Sequence, residues 1–155
     1  MNRFSSVVIR PYQQEDWTAI QSIHDRARRA ELGLAGLAQA FVPLREAAVS
    51  EGLFDYTVEV ALNGQERVVG FVAYTHQELA WLYVEPDAQR QGIGAALVRH
   101  VLGKVRCAPV CVEVLCGNEP AKALYEKMGF HTVCIAHGRM PGNEAFQVKV
   151  YCMER

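Results

Sequence analysis

Leu79-Ala80-Trp81-Leu82-Tyr83-Val84 is an unbroken apolar run that stops at Glu85-Pro86 and, after Asp87-Ala88-Gln89-Arg90-Gln91, meets two glycines, Gly92 and Gly94. This succession constrains the fold more than any other stretch. It reads as a strand covered on both faces, a turn, and then a helix. Ile93, Leu97, Val101 and Val105 recur every fourth residue, with Val98 and Leu102 widening the stripe, which predicts a helix of about four turns. Pro109 closes the connection and Val110-Cys111-Val112-Glu113-Val114-Leu115 is the next strand; two strands joined by a helical crossover run parallel. The glycine turn itself has two readings. Paired glycines make an ordinary tight strand-to-helix turn. They also let backbone N–H groups converge on an anion at the partly positive first turn of a helix.

The rest of the chain supplies partners for this unit. Val7-Val8-Ile9-Arg10 is a short strand stopped by Pro11, and Gln14-Glu15-Asp16 offers capping chemistry to a helix with Trp17, Ile20, Ile23 and His24 on one face. From Ala30 to Gly52 the helical signal is interrupted by Gly33, Gly36 and Pro43, so one or two short helices are expected. Tyr56 to Leu62 alternates as a half-buried strand, and Asn63-Gly64 signals a hairpin into Val68 to Thr75. A second turn at His76-Gln77-Glu78 leads into the central apolar strand. Further on, Asn118 is a good N-cap and Pro120 fits a first turn. Ala121, Leu124, Tyr125 and Met128 fall on one helical face, and Gly129 supplies the left-handed stop. His131 to Ala136 and Phe146 to Met153 are the last strands, with His137 to Glu144 expected as a polar, glycine-rich loop.

The chain of 155 residues, half of them apolar, is expected to form a single domain over residues 1–155, burying roughly two thirds of its unfolded surface. A net charge of −1 provides no basic field for nucleic acid or a membrane surface; Arg26, Arg28 and Arg29 read as a solvated helix face. No apolar run approaches the ~20 residues that span a bilayer, and Met1 to Arg10 lacks a signal-peptide core, so a cytoplasmic protein is expected. Cys107, Cys111, Cys116, Cys134 and Cys152 include no C-x-x-C pair, which points to reduced thiols rather than disulfides or zinc. No two histidines stand four apart, so no metal site is expected.

The element order β-α-α-β-β-β-α-β-α-β-β resembles the GNAT superfamily of acyl-CoA-dependent N-acyltransferases, and two motifs carry the likeness. Gln89-Arg90-Gln91-Gly92-Ile93-Gly94 is similar to that family's [RQ]-x-x-G-x-[GA] pyrophosphate loop. Asn118-Glu119-Pro120-Ala121-Lys122-Ala123-Leu124-Tyr125-Glu126-Lys127-Met128-Gly129-Phe130 is similar to its N-x-x-A-x-x-L-Y-E-x-x-G-F helix. The resemblance is weakest in Ala30 to Gly52, where family members differ with substrate. It implies an α/β fold with a mixed central sheet of about seven strands and about four helices, splayed between strands 4 and 5. Acetyl-CoA is the implied cofactor, its pantetheine arm pairing with the backbone of Leu82, Tyr83 and Val84 as an added strand does. The amides of Arg90, Gln91, Gly92, Ile93, Gly94 and Ala95, with Gln89 leading the motif, are the implied pyrophosphate site; Asn118 and Tyr125 are implied to touch the arm.

Direct attack of an amine on a thioester, through a tetrahedral intermediate, needs a neutral amine, a stabilised oxyanion and a proton for the leaving thiolate. The resemblance implies Tyr125 as the acid and Glu113 as the base, with Glu78 the second candidate base and His76 a weaker one. A free glutamate at pKa ~4.3 is a poor base for an ammonium, so burial of Glu113 between Val112 and Val114 is expected to raise it. A backbone N–H at Val84 or Leu82 is expected to meet the oxyanion. The function implied is N-acetyl transfer to a primary amine, with a small molecule favoured and a protein amino terminus or lysine as the alternative. A non-catalytic acyl-CoA sensor is a further alternative. Glu31, Glu46, Glu51 and Glu144 are candidates for an acidic lip, and an exposed final strand is a candidate pairing edge, which leaves monomer and homodimer both open.

Overall fold

Arg10 and Asp16 set the start of the fold. Asp16 accepts from the Arg10 guanidinium through both oxygens, at 2.7 and 2.9 Å, and from the Gln13 N–H at 2.8 Å. This joins the first strand, β1 (Val8–Pro11), to the first helix, α1 (Trp17–Leu34). The computed structural model describes residues 7–106 and 108–155; Cys107 and the first six residues lie outside it. The described residues continue as α2 (Leu44–Ser50), β2 (Thr57–Leu62), β3 (Val68–Tyr74), β4 (Leu79–Val84), α3 (Ile93–Lys104), β5 (Cys111–Leu115), α4 (Glu119–Lys127), β6 (His131–Met140) and β7 (Asn143–Glu154). Short 3-10 turns precede α1, follow β4 and flank α2. The element order is the expected one, with Val105 falling just past the end of α3.

The strands form two half-sheets, β1-β2-β3-β4 and β5-β7-β6, rather than one continuous sheet. Every pairing within each half is antiparallel. Among the described residues, the halves share one parallel bridge, Glu78 to Cys111, supported by the Cys111 N–H on the Gln77 carbonyl at 2.8 Å. β4 is therefore an edge strand, not the fully flanked central strand its sequence predicts. Its apolar side chains are explained by helices on both sides. Leu79, Leu82 and Val84 join the core under α3 and α4, while Trp81 and Tyr83 join the core under α1 and α2. Strict alternation would put Leu79 and Trp81 on one face. A bulge lets them diverge: Trp81 pairs with Ala73 and Leu79 with Tyr74, leaving Ala80 unpaired.

The helices pack where their apolar stripes dictate. Ile20, Ile23, His24 and Ala27 recur at helical spacing and are buried on α1. Ile93, Leu97, Val98 and Val101 do the same for α3. α3 approaches closely because Gly70 in β3 has no side chain; a Cβ there would lie 3.0 Å from the Tyr83 carbonyl oxygen and 3.3 Å from Leu97 Cδ1. Each fully buried leucine at such a contact contributes roughly 1.5–3 kcal/mol.

Three expected local features come out differently. The β2–β3 hairpin forms, but its turn runs from Asn63 to Arg67. The Asn63 side-chain oxygen accepts from the Gln65 and Arg67 N–H groups at 2.9 and 3.0 Å. Glu66, not Gly64, takes the left-handed conformation, at φ 60°. Asparagine's preference for bonding nearby backbone thus outweighs the two-residue Asn-Gly turn. The segment His137 to Glu144 is not a loop. β6 and β7 pair as far as Met140 and Asn143, and the turn shrinks to Pro141-Gly142 with Gly142 at φ 75°. Ladder bonds hold polar residues extended, which no apolar alternation announces. Finally, β7 lies in the middle of its half-sheet and β6 is the edge, so the final strand is not the exposed pairing edge.

Candidate functional site

The parallel β4–β5 contact ends after its bridge, and the strands separate into a wedge. In an antiparallel ladder, residues alternate between those whose backbone groups face the partner and those facing away. Glu85 donates its N–H to Val69 at 2.8 Å, so Tyr83 faces Phe71 in the same pattern and Trp81 faces Ala73. Leu82 and Val84 turn their N–H and C=O groups toward the wedge, and the Val84 carbonyl receives the Gln89 side-chain amide at 3.4 Å. The exposed edge of β4 is therefore a template for an extended chain.

The turn after β4 gathers donors. Arg90 at φ 64° and Gly92 at φ 82° are both left-handed, and Gly92 caps α3 with no side-chain bond. The first bond into α3 is Ala96 N–H on the Gly92 carbonyl at 3.0 Å, leaving the amides of Ile93, Gly94 and Ala95 without acceptors among the described residues. Gly94 lets α4 close over this turn, since a Cβ there would lie 3.2 Å from Leu124 Cδ2. Asn118 begins α4, accepting the Ala121 N–H at a long 3.4 Å. Tyr125 is 5% exposed and packs edge-on to Phe130 at 5.4 Å. None of the described residues hydrogen-bonds its hydroxyl. Burial pushes its phenol well above the ordinary tyrosine range, with Glu31 and Tyr83 adding in the same direction. Groups from β4, the glycine turn and α4 thus converge at the wedge.

On the α1 and α2 side lies a cavity of about 540 Å³, closed by β4, β5 and the β6–β7 hairpin. Glu113 and Glu78 both line it. Glu113 is exposed there, not enclosed: Val112 and Val114 point into the core beneath α3 and α4, and strand alternation sends Glu113 to the open face. The burial expected to adapt it is absent. Glu78, also exposed, lies within 3.5 Å of the Tyr56 hydroxyl. His76 is exposed outside the cavity lining.

The 36–39%-identical curated relatives and a family model agree on where this architecture belongs. The model of the acetyltransferase (GNAT) domain matches residues 55–132. The chain belongs to the GNAT acetyltransferase family. A peptidyl-lysine N-acetyltransferase, YjaB of Salmonella typhimurium, is 36% identical over 95 residues, covering 61% of this chain and 63% of that protein. The ribosomal protein bS18-alanine N-acetyltransferase of Escherichia coli K12 is 39% identical over 61 residues, covering 37% and 41%. The chain thus matches less than two thirds of the length of these relatives. A GNAT phosphinothricin acetyltransferase from Sinorhizobium meliloti, solved in complex with AcCoA, shares the fold at TM-score 0.64 and 18% identity, covering 96% of this chain and 87% of that one.

Within this GNAT fold, several cavity residues escaped sequence reasoning. Arg28 is not on a solvated face: it lines the cavity, pairs with Glu31 at 3.0 Å and contacts Met140 Sδ at 3.5 Å. Its neighbours Arg26 and Arg29 engage Glu85 and the Phe41 ring. The i, i+3 spacing of Arg28 and Glu31 was legible, but nothing in it told a cavity wall from solvent. His24, 2% exposed, bonds Asp25 at 2.9 Å and lies edge-on to Tyr83; burial lowers its pKa despite Asp25, keeping it neutral. Of the four acidic-lip candidates, Glu31 and Glu51 line the cavity and Glu46 and Glu144 do not. Burial raises the Glu51 carboxyl, with Arg28 opposing. No cluster of three or more metal-ligating side chains occurs among the described residues, and no helix there is long and apolar enough to cross a membrane.

Proposed function

We propose that this chain, as one domain over residues 1–155, is an acetyl-CoA-dependent N-acetyltransferase acting on a primary amine. The observation that carries the reading is the open β4 edge at Leu82 and Val84, running directly into the unpaired amides of Ile93, Gly94 and Ala95. An amide-bearing arm ending in a pyrophosphate fits that sequence of donors and acceptors: an extended backbone-like segment first, then an anion at a helix start. Leu82 and Val84 pair with the arm, Arg90 to Ala95 hold the pyrophosphate, and Asn118 contacts the arm as well as capping α4. When bound, acetyl-CoA supplies the activated thioester carbonyl.

The chain's own residues then divide the work. An amine entering the cavity reaches the wedge between β4 and β5. Glu113 or Glu78 would take its proton, directly or through water, and the N–H of Leu82 or Val84 would donate a hydrogen bond to the oxygen on which negative charge develops. Tyr125, kept protonated by burial, would give its phenol proton to a departing thiolate. The exposure of Glu113 favours a water-mediated transfer. The relatives are a peptidyl-lysine and a ribosomal-protein bS18-alanine N-acetyltransferase, so a protein acceptor stands level with a small-molecule amine rather than behind it. The cavity's carboxylates Glu31, Glu51, Glu78 and Glu113 outnumber Arg28 and Arg139, which suits a cationic acceptor.

The test is thermal unfolding with acetyl-CoA followed by thiol release. Cofactor at 100 times its dissociation constant is expected to stabilise the fold by about 2.7 kcal/mol. Lysine peptides, alanine-terminated peptides and small diamines then identify the acceptor. No melting shift at millimolar acetyl-CoA rejects the cofactor; a shift without thiol release from any amine favours a sensor.

A further inference from the structure

Glu113 shares its cross-strand row with two cysteines that the mechanism does not use. Its direct cross-strand partner in β7 is Cys152, and the partner of Cys152 in β6 is Cys134. Direct partners in an antiparallel ladder place their side chains on one face. The neighbouring row on that face, Leu115 with Val150 and Ala136, lines the acceptor cavity. The two thiols therefore stand beside each other on the cavity-side face, next to the candidate base. Cys134 is exposed and Cys152 partly so.

We propose that Cys134 and Cys152 are an oxidation-sensitive pair that closes to a disulfide across the β6–β7 ladder and thereby controls the acceptor side of the site. The geometry is already close. Direct antiparallel partners have Cα atoms about 4.5–5.5 Å apart, inside the roughly 4.4–6.8 Å span that disulfides bridge, so closure requires side-chain rotation rather than backbone movement. The neighbouring Cys134, then burial, pushes the Cys152 thiol up to about 11. Cys152 thus stays protonated, and Cys134, the more exposed sulfur, meets the oxidant first.

With a hydroperoxide as oxidant the chemistry balances. The Cys134 thiol ionises and its thiolate attacks one peroxide oxygen; the O–O bond breaks, and the released hydroxide takes up the proton lost on ionisation to become water. The sulfenic acid so formed is attacked at sulfur by Cys152. The S–S bond forms as the S–O bond breaks, and the departing hydroxide leaves as a second water with the Cys152 proton. The peroxide gains the two electrons that the thiols lose. In a reducing compartment the pair rests as two thiols. Once closed, the bond ties β6 to β7 within the Glu113 row and replaces the thiol beside that carboxylate.

The experiment treats the reduced full chain with hydrogen peroxide, alkylates the remaining thiols and maps the linked peptides by mass spectrometry. A Cys134–Cys152 link is expected at peroxide levels that leave the exposed Cys111 largely alkylatable. It should be reversed by dithiothreitol and abolished in Cys134→Ser and, separately, in Cys152→Ser. Oxidation of Cys111 without that link, or pairing with another cysteine, overturns the pair. Control of the site rests on the acetyltransferase reading and is measured separately. Amine turnover is expected to fall several-fold on oxidation and recover on reduction, with the acetyl-CoA melting shift retained. A mapped link with unchanged turnover overturns the control. A protein that forms the link and shows no cofactor shift or turnover in either redox state refutes the acetyltransferase reading instead.

Discussion

Tyr125→Phe separates a catalytic phenol from a core one. The substitution removes one hydroxyl and keeps the ring that packs against Phe130 at 5.4 Å. None of the described residues bonds that hydroxyl, so no buried partner is left unsatisfied. The unfolding free energy should move by no more than about 0.5 kcal/mol. The acetyl-CoA melting shift should likewise persist. Turnover is another matter. A positioned acid contributes about 10²–10⁴-fold, which at 1.36 kcal/mol per decade is roughly 3–5 kcal/mol of barrier. Tyr74 provides the contrast. Its hydroxyl donates to the buried carboxylate of Glu59 at 2.7 Å, which also bonds His100 at 2.7 Å. Tyr74→Phe should cost about 1–3 kcal/mol of stability. The pH profile adds a second check. Because burial raises the Tyr125 phenol, this group should cause no alkaline loss of kcat up to pH ~10, where an ordinary tyrosine ionises. Steady-state thiol release, chemical denaturation and cofactor-dependent melting measure the three effects. Full kcat in Tyr125→Phe would refute the acid role, and a large loss of stability would show that the hydroxyl has a structural partner.

Two further outcomes follow from local geometry. Arg90→Gly should leave the cofactor-free protein within about 1 kcal/mol of its original stability, because relief of a left-handed non-glycine backbone at φ 64° offsets glycine's added chain entropy. The same change keeps the backbone amide and removes the guanidinium, so it should raise KM for acetyl-CoA through the lost charge on the pyrophosphate; an unchanged KM would show that the Arg90 side chain takes no part in that site. Asp16→Asn should destabilise the fold by about 1–3 kcal/mol at neutral pH, judged from lost hydrogen bonds to a charged group. The Arg10 hydrogen bond, against burial, holds Asp16 below its ordinary range. Its stabilisation is therefore complete above the unfolded pKa of ~3.9 and fades as pH falls through the lower folded value. Urea unfolding across pH 2–7 should show the wild-type and variant curves converging at the acid end; a gap that persists there contradicts the ion-pair account.

The element order and the glycine turn after β4 were legible because local chemistry determines them. Apolar spacing marks α1, α3 and β4, and the glycines at 92 and 94 mark where a helix must begin beside a strand. The tyrosine and asparagine of α4 were legible for the same reason, since their spacing belongs to one short helix. What the sequence could not reveal was decided between elements. A bulge at Ala80 sends Leu79 and Trp81 to opposite cores, and whether Glu113 is enclosed depends on which face of β5 meets α3. Arg28 becomes part of a cavity wall only when the β6–β7 hairpin brings Met140 to it. Cys134 and Cys152, far apart in sequence and unremarkable by spacing, become neighbours through strand register alone. Local propensity acts over a few residues, but burial, charge pairing and thiol contact depend on chain segments that meet only after the two half-sheets and their helices have packed.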